Sequence, residues 1–347
     1  MINAPREKPT HIGHYRVVRT LKVAASNEVV LAIPEGPNGD EAPVVIKRLL
    51  PGFEHDPWRT RSLTREALAY ARLSHPAVLR MYDFFAVDGL PAMVLEFVDG
   101  LSLAELLDAL RARVRRLPQT LAIHIAAQLF SALAAAHGAR DPRTGLLTPV
   151  IHRDVNPGNV LLTRAGEVKL SDFGVAQVGG GDPETQSGVL KGTWGYMAPE
   201  QVHDGAVTIR TDLYDGALVV RELLTGLPAF PRIGQTHLAY LQEMAAPGLT
   251  PMVSLGLRLP PALLTAIDRA LEPNPSARHV SAAELHGLLS AQGDAAEGAA
   301  ALAVLVGEVT PPREDRSSLA PSVARHTFDA DVVQDVDVLL AAMDRLG

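Results

Sequence analysis

The sequence contains no cysteine, and this absence excludes several classes of chemistry together. Without thiols, no disulfide framework, thiolate nucleophile, zinc–thiolate site or iron–sulfur cluster can form. An excess of positive charge is also missing, since 32 Lys and Arg stand against 39 Asp and Glu, for a net charge of −7. This balance disfavours nucleic-acid binding through counterion release. Chemistry must come from Asp, Glu, Lys, His, Ser and Thr.

Long hydrophobic runs are missing as well. The apolar run at residues 299–306 is less than half of the roughly 20 residues that a membrane-spanning helix needs. Residues 1–15 contain no apolar segment of the kind found in secretory signals. The sequence therefore predicts no membrane span and a cytoplasmic location.

Two hydrolase signatures do not occur. The twelve histidines include no His-Glu-x-x-His pair of metal ligands, and no Gly-x-Ser-x-Gly nucleophile turn is present. His124 and His137 lie in an apolar segment, where they are expected to be hydrogen-bonded core residues. These observations disfavour a metal hydrolase and a serine hydrolase.

A hydrophobic content of 47% over 347 residues is enough for a sizeable core and for about two domains. The pattern alternates as in strands up to residue 98, with one helix inserted, and is mainly helical from there to about residue 290. The predicted strands are 15–21, 28–33, 43–49, 78–85 and 92–97, and the main predicted helices are 57–73 and 119–137. The predicted organisation is an N-terminal extension (1–14), a strand-rich lobe (15–98), a helical lobe (99–291), a linker (292–330) and a C-terminal helix (331–346).

The C-terminal helix is amphipathic. Its apolar residues recur at helical spacing and are Val332, Val336, Leu339, Leu340 and Met343. Such a helix would dock on its own lobe, form a dimer or bind a partner.

Phosphoryl-transfer chemistry is indicated by two ordered motifs. The first is His152-Arg153-Asp154, with Asn159 five residues beyond Asp154, and the second is Asp172-Phe173-Gly174. Carboxylate and amide oxygens from Asp172 and Asn159 suit Mg²⁺, a hard cation. Asp154 is placed to orient an attacking hydroxyl.

With these motifs, residues 15–290 resemble the eukaryotic-like Ser/Thr protein kinases of bacteria. The resemblance implies an α+β, bilobal fold, in which a small β-rich N-lobe and a larger helical C-lobe are followed here by a C-terminal tail, with ATP between the lobes. It also implies ATP and Mg²⁺ as cofactors and proteins as substrates. In Val44-Val45-Ile46-Lys47 the lysine matches the one that contacts the inner phosphates, and Glu66 matches its helix partner. The remaining nucleotide-site candidates implied by the resemblance are Lys22, Val29, Val45, Leu95, Glu96, Val98 and Leu161.

The same resemblance assigns positions in the helical lobe. Residues 192–200 match the peptide-substrate platform, with Glu200 paired to Arg278, and Asp212 matches the carboxylate that braces the catalytic loop. His152 is expected to pack against Phe173. Arg153 would grip a phosphate on the activation segment, for which the candidate acceptors are Thr185 and Ser187.

Two departures from the family pattern concern catalysis. Lys22, Ala24 and Asn27 occupy the three glycine positions of the phosphate-covering loop, where glycine allows close backbone approach and positive φ angles. Asn156 replaces the usual catalytic-loop lysine and leaves no cation there, although it could hydrogen-bond Thr193. We therefore expect an active kinase with weakened ATP binding. The alternatives are a pseudokinase that acts as a nucleotide-binding scaffold and a small-molecule phosphotransferase, which the peptide platform disfavours.

Overall fold

A computed structural model describes residues 10–24, 26–35, 42–53, 56–173, 194–203, 205–231, 234, 236–246 and 248–310. These residues form two compact units. Among the described residues, the first unit takes in those up to Ala71 together with Arg80–Phe97, and the second takes in Arg72–Leu79 and those from Val98 to Thr310. The predicted strand-rich lobe at 15–98 differs from the first unit mainly because residues 72–79 belong to the second unit.

The first unit is a six-stranded antiparallel sheet with one helix. Its strands are β1 (His11–Ile12), β2 (Tyr15–Val23), β3 (Asn27–Pro34), β4 (Val44–Leu49), β5 (Met81–Val87) and β6 (Leu90–Glu96), in the order β1-β2-β3-β4-β6-β5. Helix α1 (Pro57–Ala71) begins after Asp56, whose carboxylate accepts hydrogen bonds from the N–H groups of Trp58 and Arg59.

One face of this sheet forms the hydrophobic core of the first unit. Its buried members alternate along the strands, as expected for a sheet with one packed face, and are Ile12, Tyr15, Val30, Ala32, Val44, Ile46, Ala92 and Val94. The residues next to them in the strands therefore lie on the opposite face, and Lys47, which follows Ile46 in β4, is one of these.

The β5–β6 hairpin corrects two predicted strand boundaries. We predicted strands at 78–85 and 92–97, whereas the strands turn at Asp88 and Gly89, with φ angles of 53° and 78°. An Asp-Gly pair is a strong signal for a two-residue hairpin turn. With this turn, β5 ends at Val87 and β6 begins at Leu90, closer to the turn than the hydrophobic pattern predicts.

The second unit is mainly helical. Its elements are β7 (Gly100–Ser102), α2 (Leu103–Ala112), α3 (Gln119–His137), β8 (Val160–Thr163), β9 (Val168–Leu170), α4 (Pro199–Val202), α5 (Ile209–Thr225), α6 (His237–Ala245), α7 (Pro261–Ala270), α8 (Ala282–Ser290) and α9 (Ala295–Val309). Strands β7, β8 and β9 form a small antiparallel sheet. Helix α2 begins with a capping box, in which Ser102 and Glu105 exchange hydrogen bonds.

Helix α3 is the central helix of the second unit, and its predicted bounds are confirmed. It packs against α5, α8 and α9. Within the described residues it is also the helix long and apolar enough to cross a membrane, but about two thirds of its apolar stretch is buried inside the unit. Its hydrophobicity is accounted for by its place in the core.

The predicted linker at 292–330 is wrong for its first part, because residues 295–309 form helix α9. Asp294 caps this helix by accepting from the N–H groups of Ala296 and Glu297. A composition rich in Ala and Gly is typical of a linker, but in this helix the small residues allow close packing against the rest of the second unit. A Cβ on Gly298 would lie 2.5 Å from Nδ1 of His124, so α9 contacts α3 closely at this glycine.

Candidate active site

Several of the predicted nucleotide-site residues share one face of the first sheet. Residues directly opposite each other in neighbouring strands point to the same face. Lys22 pairs with Val29 and Val29 pairs with Lys47, while Val45 pairs with Leu95. Because Val45 and Lys47 are two residues apart in β4, all five side chains lie on this face, opposite the hydrophobic core.

Lys47 is held by an ion pair with Glu66. Its Nζ lies 2.7 Å and 2.9 Å from the two carboxylate oxygens of Glu66. The side chains are 17% and 8% exposed, so the pair is shielded from water on most sides. This contact fixes the ammonium group of β4 against helix α1, as the sequence predicts.

The glycine-free hairpin between β2 and β3 is well anchored. The N–H of Ala24 donates to the carbonyl of Asn27 at 2.8 Å, and Leu50 donates to the carbonyl of Ser26 at 2.7 Å. Just beyond the turn, a buried ion pair joins Arg48 to Glu28 at 2.6 Å. The hairpin is therefore held to β4 by backbone and side-chain contacts.

One premise about this hairpin needs correction. Positive φ angles outside glycine occur, among the described residues, at Asp88, Val114, Arg153 and Asp172, so Lys22, Ala24 and Asn27 do not have them. Their side chains bring no left-handed backbone strain. The expected weakening of ATP binding therefore rests on steric bulk alone. A Cβ at these positions occupies space in which the backbone of a glycine could approach a phosphate closely.

The other predicted adenine contacts are apolar or backbone groups. Leu95 is buried in β6, and the N–H of Glu96 donates to the carbonyl of Arg80 at 2.8 Å. In the second unit, Val98 and Leu161 are half-buried, and Leu161 lies in β8 opposite Ser102.

The catalytic loop of the second unit is organised around Asp154. Nδ2 of Asn156 donates to Oδ1 of Asp154 at 2.8 Å, and Nδ2 of Asn159 donates to Oδ2 at 3.0 Å. Both amides also donate to the backbone carbonyl of Asp154. Oδ1 of Asn156 accepts from the N–H of Gly158, so this side chain is engaged at both ends within the loop. The carboxylate of Asp154 is thus fixed by two neutral donors.

The surroundings of Asp154 raise the pKa of its carboxyl above the usual value. Burial raises the pKa of the Asp154 carboxyl most, and the negative charge of Asp172 raises it further. The electrostatic interaction with His152 and the hydrogen bonds from the two asparagines lower the pKa of Asp154 and partly offset this effect. A raised pKa makes a carboxylate a better hydrogen-bond acceptor toward a hydroxyl proton.

Asp212, fully buried near the start of α5, braces the backbone of the catalytic loop. Its carboxylate accepts from the N–H of His152 at 2.9 Å and from the N–H of Arg153 at 2.8 Å. His137, at the end of α3, contacts the same carboxylate through Nε2 at 2.8 Å. Arg153 has a φ of 70°, a costly conformation for a residue with a side chain. The two backbone hydrogen bonds hold it there.

His152 and Phe173 connect the two motifs. Their ring centroids are 4.7 Å apart, and Nε2 of His152 is 2.8 Å from the carbonyl of Ser171. The N–H and Oγ of Ser171 both donate to the carbonyl of Asn159. These contacts join the segment before Asp172 to the loop that contains Asn159.

Asp172 and Asn159 are the candidate metal ligands. Nδ2 of Asn159 is engaged by Asp154, which leaves its amide oxygen as the atom able to bind a cation. Asp172 adopts a φ of 56°, again an unusual backbone conformation. A carboxylate and an amide oxygen are hard ligands that fit Mg²⁺, which usually keeps several waters and takes few protein ligands. In the described part of the chain, no cluster of three or more His, Asp or Glu side chains offers a competing metal site.

The predicted pair between Glu200 and Arg278 is present and buried. The guanidinium nitrogens lie 2.6 Å and 2.8 Å from the carboxylate oxygens, and Thr211 donates to the same carboxylate at 2.8 Å. Arg278 also stacks on Tyr214, with 4.7 Å from Cζ to the ring centroid. This network ties α4 to α5 and to the segment after α7.

Some contacts of this region escaped the sequence analysis. Gln201 donates from Nε2 to the carbonyl of Arg153 at 2.8 Å, which joins α4 to the catalytic loop. His137 was expected only as a satisfied core residue, and its partner is Asp212. Tyr196 and Arg111 both donate to the buried carboxylate of Glu222. Each of these partners is distant in sequence, so local pattern carries no signal for them.

Asp215, one turn after Asp212, is a buried acid without an assigned role. It is 1% exposed, and its Oδ1 has no hydrogen-bond partner among the described residues. Burial raises the pKa of the Asp215 carboxyl well above its usual value, and the charges of Asp212 and Glu200 add to this effect. This carboxyl therefore keeps its proton to a higher pH than an exposed aspartate does.

Three predicted site residues lie outside the described residues. They are Thr185, Ser187 and Thr193.

Comparison with known proteins identifies the family. Residues 27–286 match the protein kinase domain. The chain is 33% identical over 242 residues to the serine/threonine-protein kinase PknH of Mycobacterium bovis, which covers 70% of this chain and 38% of that protein. It is 30% identical over 270 residues to the tyrosine-protein kinase MasK of Myxococcus xanthus, covering 78% of this chain and 41% of that protein.

A solved structure agrees with the sequence comparisons. The crystal structure of the Mycobacterium tuberculosis PknI kinase domain superposes with a TM-score of 0.54 at 28% identity, covering 82% of this chain and 97% of that one. The predicted fold, with a strand-rich and a helical lobe, is therefore confirmed, and ATP and Mg²⁺ are the cofactors of the family. The chain spans about two fifths of the length of the curated relatives named above. It belongs to the protein kinase family.

Proposed function

We propose that this protein is an ATP- and Mg²⁺-dependent protein kinase that transfers the γ-phosphoryl group to hydroxyl groups of protein side chains. The observation that carries this proposal is the fixed carboxylate of Asp154, held by Asn156 and Asn159 within a loop that Asp212 braces. Phosphoryl transfer depends mainly on positioning and on electrostatic stabilisation. A preorganised loop of this kind supplies the positioning.

Each remaining residue has a proposed part in the same reaction. Lys47, held by Glu66, would bind the inner phosphates, and Asp172 with the amide oxygen of Asn159 would hold Mg²⁺. When bound, the metal supplies charge neutralisation at the phosphate oxygens. Asp154 would accept a hydrogen bond from the substrate hydroxyl and take its proton. The adenine would contact a set of mostly apolar residues, namely Val29, Val45, Leu95, Glu96, Val98 and Leu161, with Lys22 near the phosphates.

Two further parts of the proposal concern regulation and location. Arg153 would bind a phosphate carried by Thr185 or Ser187, since phosphorylation brings roughly −1.5 to −2 charge and strong acceptors for arginine. The substrates would be cytoplasmic proteins. The acceptor hydroxyls would be those of serine and threonine, because most of the relatives named in the comparisons are serine/threonine-protein kinases.

A second candidate function is a nucleotide-binding scaffold with little catalysis. It is favoured by Asn156, which brings no cation to the point where negative charge develops. The amide nitrogen of Asn156 donates to Asp154 and its amide oxygen accepts from Gly158, so the side chain offers no free donor to a phosphoryl group.

The test is incorporation of label from γ-labelled ATP with Mg²⁺, into the protein itself and into a Ser-, Thr- and Tyr-containing acceptor protein. Asp172→Asn removes the charge of the proposed metal ligand, and Glu167→Gln makes the same chemical change at an exposed position nearby. We expect incorporation by the wild type and by Glu167→Gln, and its loss in Asp172→Asn. Phosphoamino-acid analysis identifies the acceptor, and peptide mapping is expected to find label at Thr185 or Ser187.

Two results would count against the kinase assignment. Equal incorporation by Asp172→Asn and the wild type would contradict the metal site. No incorporation in any sample, together with Mg²⁺-dependent ATP binding measured by thermal shift, would favour the scaffold.

A further inference from the structure

The last residues of α2 and the start of its connection to α3 form an exposed segment rich in arginine. Residues 111–116 are all exposed and include four arginines, and we refer to them as the arginine loop. Arg111 pairs with Asp108 and with Glu222, and Arg115 pairs with Glu308. Arg113 and Arg116 have no acidic partner in the described part of the chain.

Apolar side chains accompany these charges. Val114 is 95% exposed, and its φ of 52° is an outlier for a β-branched residue. Leu227 is 65% exposed and follows Gly226. A Cβ added to Gly226 would lie 3.7 Å from Cγ of Arg116, so the Arg116 side chain lies beside the turn that carries Leu227. We refer to Arg113, Val114, Arg116 and Leu227 together as the arginine patch, which combines positive charge with exposed apolar groups.

The end of α9 brings the rest of the chain to this patch. Glu308, in the last turn of α9, lies 3.2 Å from Arg115 of the arginine loop. Residues 311–347 continue from this point. They begin within reach of the patch.

The last part of that segment has the complementary chemistry. Residues 331–346 contain four aspartates and one arginine, Arg345, which at helical spacing falls on the side opposite the apolar stripe. At 100° per residue, the aspartates flank both sides of the predicted apolar stripe. Asp331 and Asp335 lie on one side, and Asp337 and Asp344 lie on the other.

We propose that residues 331–346 dock as an amphipathic helix on the arginine patch of the same chain. The apolar stripe would cover Val114 and Leu227, and the aspartates would face Arg113 and Arg116. The twenty residues 311–330 would connect the two partners. A flexible connector of that length has a root-mean-square span of roughly 25 Å, which gives an effective concentration on the order of millimolar. Docking within the chain is thereby favoured over docking between two copies.

Distances between spin labels on the full-length chain test this proposal. Since the chain has no native cysteine, Ala112→Cys within the arginine loop and Ala341→Cys in the C-terminal segment give two unique labelling positions. We expect a narrow distance distribution at low salt. It should broaden in about 0.5 M salt, where charges on a surface are screened over a few ångströms.

Charge reversal identifies the docking surface. Arg113→Glu with Arg116→Glu should abolish the narrow distribution, while Arg269→Glu, an exposed arginine on α7, should leave it unchanged. Circular dichroism checks that each variant is folded.

Three results would overturn the proposal. One is a broad distribution in the unaltered labelled chain, and another is a narrow distribution that survives the double reversal. The third is a narrow distance between singly labelled chains that are mixed, because the occupant would then be a second copy. None of these readouts depends on kinase activity.

Discussion

Arg278→Met tests the energetics of the buried ion pair with Glu200. Arg278 is 1% exposed and donates five hydrogen bonds, two to Glu200 and the others to the carbonyls of Glu272, Arg210 and Pro273. Methionine fills most of the volume but leaves the carboxylate of Glu200, which is 8% exposed, without its cation. Breaking a buried pair on one side costs about 3–5 kcal/mol.

Thermal and urea unfolding measure this cost. For a unit of this size each kcal/mol lowers Tm by roughly 2–4 °C, so we expect Arg278→Met to lower Tm by on the order of 10 °C. Combining it with Glu200→Gln removes the unpaired charge, and the double variant should lose about 1–3 kcal/mol less than the sum of the two single losses. A single-variant loss below about 1 kcal/mol, or strict additivity, would refute the reasoning.

Three further predictions concern single positions. Because burial raises the pKa of Asp215 in the folded protein, stability should fall as pH rises above the unfolded pKa of roughly 3.9. In urea unfolding, Asp215→Asn should therefore gain stability relative to the wild type as pH rises from 5 to 8, and a difference that does not change with pH would contradict the raised pKa. Gly298→Ala should lower the free energy of unfolding by about 1–3 kcal/mol, because the added Cβ would lie 2.5 Å from a ring atom of His124 in α3. Gly287→Ala, where an added Cβ has nothing within 4 Å, should raise the free energy of unfolding by roughly 0.5–1 kcal/mol. Equal effects of the two variants would show that α9 does not pack against α3 as described. Ala24→Gly should tighten ATP binding several-fold in calorimetric titration by removing a Cβ from the phosphate-covering hairpin, and unchanged or weaker binding would contradict that role.

Local sequence features accounted for much of the fold. The bounds of α3 and the start of α1 at residue 57 both agree with the helices predicted from the hydrophobic pattern. The candidate site was found because its motifs are short and ordered along the chain.

The rest depends on packing between distant segments. The predicted linker overlaps helix α9 because a composition rich in Ala and Gly is also typical of linkers, although Gly298 is what permits the contact of α9 with His124. The roles of His137 and Gln201 rest on hydrogen bonds to groups 75 and 48 residues away. No spacing rule within a single sequence reports such contacts.

Asp154→Asn gives the most direct measurement of the central claim, which is that this carboxylate accepts the proton of the attacking hydroxyl. The variant keeps the size of the side chain and removes its charge. We predict that single-turnover transfer from γ-labelled ATP slows by about 10²–10⁴-fold, while the Kd for ATP with Mg²⁺ stays within about twofold, because Asp154 stabilises the transition state and not the bound nucleotide. Transfer by Asp154→Asn at the wild-type rate would contradict the account.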